Sequence, residues 1–179
     1  MTRWLVRSQQ PVIVIDWSDL KADRSWHLLR AAIPVGGRSL PILDMVFPGQ
    51  GSPKAEKLFL KRLAHVLPDD IRPILVTDAG FRGPWFRAVE AMGWQWLGRL
   101  RHTTYLKPVE VPDEPGQWMT CKAMYALATR EPRDFGSMDI VRSHPLTARV
   151  VLHAKPAKGR KHRNRQGVPA RNSNSRKNA

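Results

Sequence analysis

Two short runs of branched apolar residues, each closed by an aspartate, constrain this chain more than any other feature. Pro11 to Asp19 reads PVIVIDWSD, and Pro73 to Gly80 reads PILVTDAG. Runs of this length, mostly β-branched and bounded by polar or turn residues, are the pattern of strands buried on both faces. A carboxylate just past the end of such a strand stands at the rim of the sheet, where open α/β sheets bind their ligands. Two such strands side by side would make neighbours of Asp16 and Asp78. Paired carboxylates hold hard, oxygen-seeking cations such as magnesium, and two metals together drive in-line displacement at phosphorus. Alone, each aspartate also reads as a turn former or a helix N-cap, the commoner role at a strand end.

The segments between and around these strands fit an α/β sheet. Ser25 to Val35 (SWHLLRAAIPV) is apolar enough for helix or strand, but Gly36-Gly37 after it is a hairpin signal. Arg38 to Phe47 then reads as the returning strand. Pro53 opens a helix at a position where proline is favoured. Leu58, Phe59, Leu63, Val66 and Leu67 form its apolar face, and Lys57, Lys61 and Arg62 its wet side. A second helix is expected from Pro84 to Met92, closed by Gly93. Trp94 to Tyr105 alternates bulk with Arg99, Arg101 and His102, as a strand with one wet face does. From Lys107 the periodicity fades until TARVVLH (Thr147 to His153), a further strand.

With 179 residues and 42% hydrophobic content, the chain is large enough for one domain with a proper core. Its formal net charge of +15 points to a polyanionic partner, nucleic acid before an anionic membrane surface. Nine Lys or Arg and no acid lie between Ala154 and Ala179; the remainder holds 21 basic and 15 acidic residues. That terminal segment has one β-branched residue, Val168, and is expected to be disordered on its own. No apolar run approaches the roughly 18 residues a membrane span needs, and no signal peptide opens the chain. A single cysteine, Cys121, gives neither an intramolecular disulfide nor a zinc-site spacing. A cytoplasmic protein without a membrane partner is expected.

Other constellations are weaker. Gly49-Gln50-Gly51-Ser52-Pro53-Lys54 precedes a helix but lacks the Gly-Lys-Ser/Thr ending of a phosphate loop, and reads as a plain loop. The histidines show no close metal-ligand pairing, and His27 reads as a core or sheet-face residue. Trp85, Trp94 and Trp96 could stack on bases, but large aromatics between helix and sheet are more often core.

The stretches VIDWSDL, GGRSLP and VTDAGFRGPWFRAVEAMGWQWLGRLR resemble DDE transposases of the insertion-sequence-4 family, in particular the branch containing the transposase of the tetracycline-resistance transposon. The likeness runs from about Pro11 to Arg101 and more loosely to Lys161. It implies an RNase H-like core, a mixed five-stranded sheet flanked by helices, with the first two catalytic carboxylates on adjacent strands. Asp16 of DWSD and Asp78 of TDAGF match them. It also implies magnesium or manganese, two ions in the intact family, and DNA as the partner. Arg99, Arg101, Lys107, Lys155, Lys158, Arg160, Lys161, Arg163 and Arg165 are the expected DNA contacts. The implied layout is a remnant of an upstream region at 1–10, a partial catalytic core at 11–106, an irregular β-rich insertion at 107–153 and a basic tail at 154–179.

The family's third carboxylate is a Glu in a Tyr-x-x-Arg-x-x-x-Glu-x-x-x-x-x-x-Lys signature, and neither Tyr105 nor Tyr125 starts one. The resemblance therefore implies a transposase truncated at both ends, inactive alone, with a full-length transposase or a second copy as a further partner. A non-catalytic, basic nucleic-acid-binding protein that interferes with a full-length enzyme is the alternative. A metal-dependent nuclease borrowing Glu110 or Glu131 has no motif behind it.

Overall fold

Alternation of Val and Ile about a two-residue period makes β1 (Val12–Asp19), the centre of a five-stranded sheet. Around it lie β2 (His27–Val35), β3 (Arg38–Phe47), β4 (Ile74–Thr77) and β5 (Gln95–Gly98), in the order β3-β2-β1-β4-β5. The first three strands are a meander, antiparallel throughout; β4 and β5 run parallel to β1. The computed structural model describes residues 8–109 and 116–155, in two compact units, Met1–Leu100 and Arg101–Ala179.

Gly36 and Gly37 turn the β2–β3 hairpin at φ +53° and +79°. Two successive positive φ values are the type I′ geometry that matches strand twist, and glycine adopts them without a Cβ penalty. β3 is an edge strand, which tolerates Pro41 and its missing N–H. Beside Pro41 the pairing slips by one residue, between Ala31 and Ala32. Residues that precede Leu43 and those that follow it therefore pair in different registers.

Two helices, α1 (Pro53–Val66) and α2 (Gly83–Glu90), both carry proline in the first turn. They cover one face of the sheet, burying Ile13, Ile15, Leu29, Ala31, Ile33 and Leu75 under Phe59, Leu60, Leu63, Trp85, Phe86 and Val89. Phe86 stacks on Trp96 at 4.1 Å between centroids and lies over Gly98, where a Cβ would come within 2.6 Å of its ring. Gly98 is thus the residue that lets α2 close on β5. The α1 stripe differs from the expected one: Leu60 is buried and Leu58 is 43% exposed. The positions 56, 59, 60, 63 and 67 keep the helical period, and Leu58 lies off it. Trp85 and Trp94 are core residues, as is His27.

The opposite face of the sheet is covered by neither helix. It carries Val12, Val14, Ile74, Val76 and Leu97, of which Val12 is 42% and Leu97 62% exposed. A parallel β1–β4–β5 sheet usually has both faces covered.

The second unit holds a four-stranded antiparallel sheet, ordered β7-β6-β8-β9, from β6 (Tyr105–Pro108), β7 (Met119–Thr120), β8 (Arg133–Ile140) and β9 (Leu146–Leu152). Leu106, Met138, Ile140, Leu146 and Val150 form its buried side, with Cys121 and Met124 of the 3-10 segment Cys121–Leu127. The single strand expected from Trp94 to Tyr105 is two strands in two different sheets, because Thr103 and its neighbours turn the chain between them. β8 (RDFGSMDI) carries no strand signal in its sequence: it has little β-branched content, and Gly136 at φ +70° sits in a register shift. Among the described residues, no helix is long and apolar enough to cross a membrane.

Candidate active site

The parallel register fixes which residues meet at the rim. β1 pairs with β4 up to Ile15↔Thr77, and β4 with β5 up to Thr77↔Gly98. The Arg99 N–H continues that ladder by donating to the Thr77 carbonyl at 3.3 Å. The next residue of each strand, Asp16, Asp78 and Arg99, therefore stands level with the others, on the face the helices leave open. Asp16 is not past the end of its strand, as the sequence suggested. It lies inside β1, because the antiparallel ladder with β2 continues to Asp19↔His27 after β4 has stopped. Its partner across that ladder is Arg30, and the partner of Arg30 on β3 is Asp44. One row across the sheet thus reads Asp44, Arg30, Asp16, Asp78, Arg99.

Both Asp16 and Asp78 are exposed. The Asp16 carboxyl is pushed above the usual aspartate range, first by partial burial and then by the charge of Asp78, with the Trp17 backbone N–H working against both. Asp78 accepts the Gly80 N–H at 2.7 Å, an Asx turn that sets the carboxylate's direction. A Cβ on Gly80 would lie 2.9 Å from Asp78 Oδ1, so only glycine at that position leaves the carboxylate where it is.

The other aspartates of the segment are committed elsewhere. Asp19 pairs with His27 Nδ1 at 3.1 Å and with Arg24 at 3.3 Å. Asp23 accepts the Ser25 N–H at 3.0 Å. Asp44 takes Arg30 in a two-pronged contact, Nε to Oδ1 at 2.8 Å and a terminal nitrogen to Oδ2 at 2.7 Å.

Two adjacent carboxylates whose charges oppose each other, with no ion pair to either among the described residues, are a donor set that fits a hard divalent cation. Among the described residues no group of three His, Cys, Asp or Glu side chains gathers that could hold a metal ion. Glu131 is exposed on the second unit, and Glu110 lies outside the described residues.

Of the expected DNA contacts, Arg99 is exposed at the rim beside Asp78. Arg101 is exposed in the second unit. Lys107 is half-buried, 3.4 Å from Asp139 and over the Trp118 ring at 5.5 Å, so its charge is already engaged. Lys155 is exposed; Lys158, Arg160, Lys161, Arg163 and Arg165 lie outside the described residues.

Glu56 gave no signal in the sequence. It sits in the first turn of α1, 6% exposed, on the covered side of the sheet beneath Trp17. Burial raises its pKa, and the Trp17 indole N–H pulls it back only in part. That N–H makes no hydrogen bond of ordinary geometry, so the contact is a loose one. A raised folded-state pKa means the folded protein holds a proton that the unfolded chain releases. Stability should therefore fall as pH rises from the ordinary glutamate range to the raised value, with a slope of at most about 1.4 kcal/mol per pH unit. Denaturant midpoints measured across that window should slope downward in the wild type. They should flatten in Glu56→Gln, leaving the slope of the same sign that Asp16 contributes. An unchanged slope would show that Glu56 ionises freely.

A five-stranded mixed sheet in the order 3-2-1-4-5, with an acidic pair level on its two central parallel strands, is an α/β domain of RNase H-like type. The family model described as Transposase DDE domain matches residues 7–179, and the chain belongs to that family. Neither a curated protein nor a solved structure matches it. Membership ties the chain to DNA transposition, with DNA as the substrate class and divalent metal ions as the family's general requirement.

Proposed function

We propose that this chain is the core region of a DDE transposase of the insertion-sequence-4 type, acting on transposon-end DNA in the cytoplasm. Asp16 and Asp78 are two of its metal-holding carboxylates. The observation that supports this most is the parallel register that ends at Ile15↔Thr77, one residue before each aspartate, with the charge of Asp78 acting on Asp16. Magnesium or manganese bound there would polarise the scissile phosphodiester and make water, then a 3′-hydroxyl, a better nucleophile.

The chain's own part is to position. The Gly80 N–H holds the Asp78 carboxylate, the β2 ladder holds Asp16, and Arg99 offers a cation to a neighbouring phosphate. The third carboxylate that the family resemblance implies is supplied from outside the described residues, by a further segment or a second chain. It would enter over the uncovered face, the side on which Asp16 and Asp78 lie.

Titration with Mn²⁺, followed by water-proton relaxation, tests the pair directly. The wild type should show one class of sites, and Asp16→Ala and Asp78→Ala should each weaken it by about tenfold or more, since either leaves a single carboxylate. Affinity indifferent to both substitutions would overturn the assignment. A second reading, a DNA-binding protein without catalysis that interferes with a complete transposase, is favoured by the lack of a third acid beside the pair among the described residues and by the basic segment after Ala154.

A further inference from the structure

Arg30 stands between two carboxylates. It is the direct cross-strand partner of Asp16 on one side and of Asp44 on the other, all three on the open face. Side chains directly opposite in antiparallel strands have Cβ atoms about 4.5–5.5 Å apart, so a guanidinium can reach either neighbour. It binds one of them only. Both of its prongs, Nε and a terminal nitrogen, go to the two oxygens of Asp44. Asp16 is left without an ion pair among the described residues.

We propose that Asp44 is a positioning residue that withholds Arg30 from Asp16 and so keeps Asp16 free to ligate a divalent cation. The inference rests on the metal-holding role of Asp16 proposed above. Arginine does not lose its charge in proteins. Turned toward Asp16, it would occupy the oxygens a metal needs and place a full positive charge beside the dication. The fork geometry of Asp44 competes well because an arginine–carboxylate pair with two parallel hydrogen bonds is the strongest contact a guanidinium makes. The exposed neighbour Asp16 would be the next-best anion on the same face. Asp44 thereby acts on the site through Arg30, without touching metal or DNA.

The test is a double-mutant cycle on the full chain, read by Mn²⁺ affinity with folding checked by circular dichroism and thermal midpoint. Asp44→Asn removes the charge and one acceptor while keeping the shape, and should weaken Mn²⁺ binding by about tenfold or more, as a freed arginine moves onto Asp16. Arg30→Gln alone should bind Mn²⁺ as the wild type does or somewhat better. The double variant, Asp44→Asn with Arg30→Gln, should recover wild-type affinity to within about threefold. Rescue of this kind is not expected of a pair that only stabilises the sheet, where both singles and the double would lose thermal midpoint and affinity together. An Asp44→Asn protein that binds Mn²⁺ normally, when Asp16→Ala does weaken binding, would overturn this inference and spare the metal site. Wild-type binding indifferent to Asp16→Ala would overturn both.

Discussion

Purified alone with magnesium or manganese, the chain should neither nick nor join transposon-end DNA above background. Asp16 and Asp78 can gather a cation, with water filling the rest of its shell. Two-metal phosphoryl transfer demands more: both ions fixed a few ångströms apart and in line with the attacking and leaving oxygens. No third acid joins the pair among the described residues, and with two carboxylates alone a second ion would lack a ligand and would be held weakly and imprecisely. A positional error on the order of an ångström can cost a hundredfold in rate. The helices leave the face beside the pair open, with Leu97 62% exposed, so they neither exclude water there nor seat DNA. The measurement is a supercoiled-plasmid nicking and strand-transfer assay of wild type beside Asp78→Ala. Robust activity abolished by that substitution would overturn the expectation. The third acid would then have to come from another residue of this chain, such as Glu110 or Glu131, or from a second copy.

Removing residues 155–179 should take away most of the chain's affinity for duplex DNA. The segment from Ala154 onward holds nine Lys or Arg and no acid, whereas the rest is only moderately basic. If roughly six of those cations meet phosphates, counterion release gives a log-log salt slope near −5. Binding then drops about a thousandfold between roughly 50 and 200 mM salt. The shortened chain should bind with a much flatter slope and, at low salt, on the order of a hundredfold more weakly. Fluorescence anisotropy on labelled duplexes of unrelated sequence, at several salt concentrations, measures both quantities. Unchanged affinity and slope would move the DNA surface to the rest of the chain, with Arg99 and Arg101 as the first candidates. Lys107, already engaged by Asp139 and Trp118, would be a poor one.

The two aspartate-closed strand runs were legible because they depend on local pattern. β-Branched runs ending in Asp16 and Asp78, and the glycines of the turn, report strand identity with little help from the rest of the fold. The helix after Pro53 was legible for the same reason. The second unit was not: β8 buries only Met138 and Ile140 in eight residues, and cross-strand partners rather than its own composition hold it. Glu56 was invisible because a glutamate in a first helical turn is ordinarily a solvated, dipole-favoured residue. Its burial shows only in the folded chain.

By itself the sequence determined that the core is an α/β sheet, that two apolar runs are closed by acids, that a tight glycine turn joins two other strands, and that the chain's charge is concentrated after Ala154. Only the tertiary structure decided what stands beside Asp16. Counting back from the Gly36-Gly37 turn, a regular hairpin would set Arg30 opposite Leu43. The slip beside Pro41 moves every later pair by one residue, and Arg30 faces Asp44 instead. A one-residue shift carries a side chain to the other face of a sheet, and the shift arises where proline leaves no N–H to donate to the ladder. Local propensity carries no record of such a slip, and the row from Asp44 to Arg99 exists only once all five strands are paired.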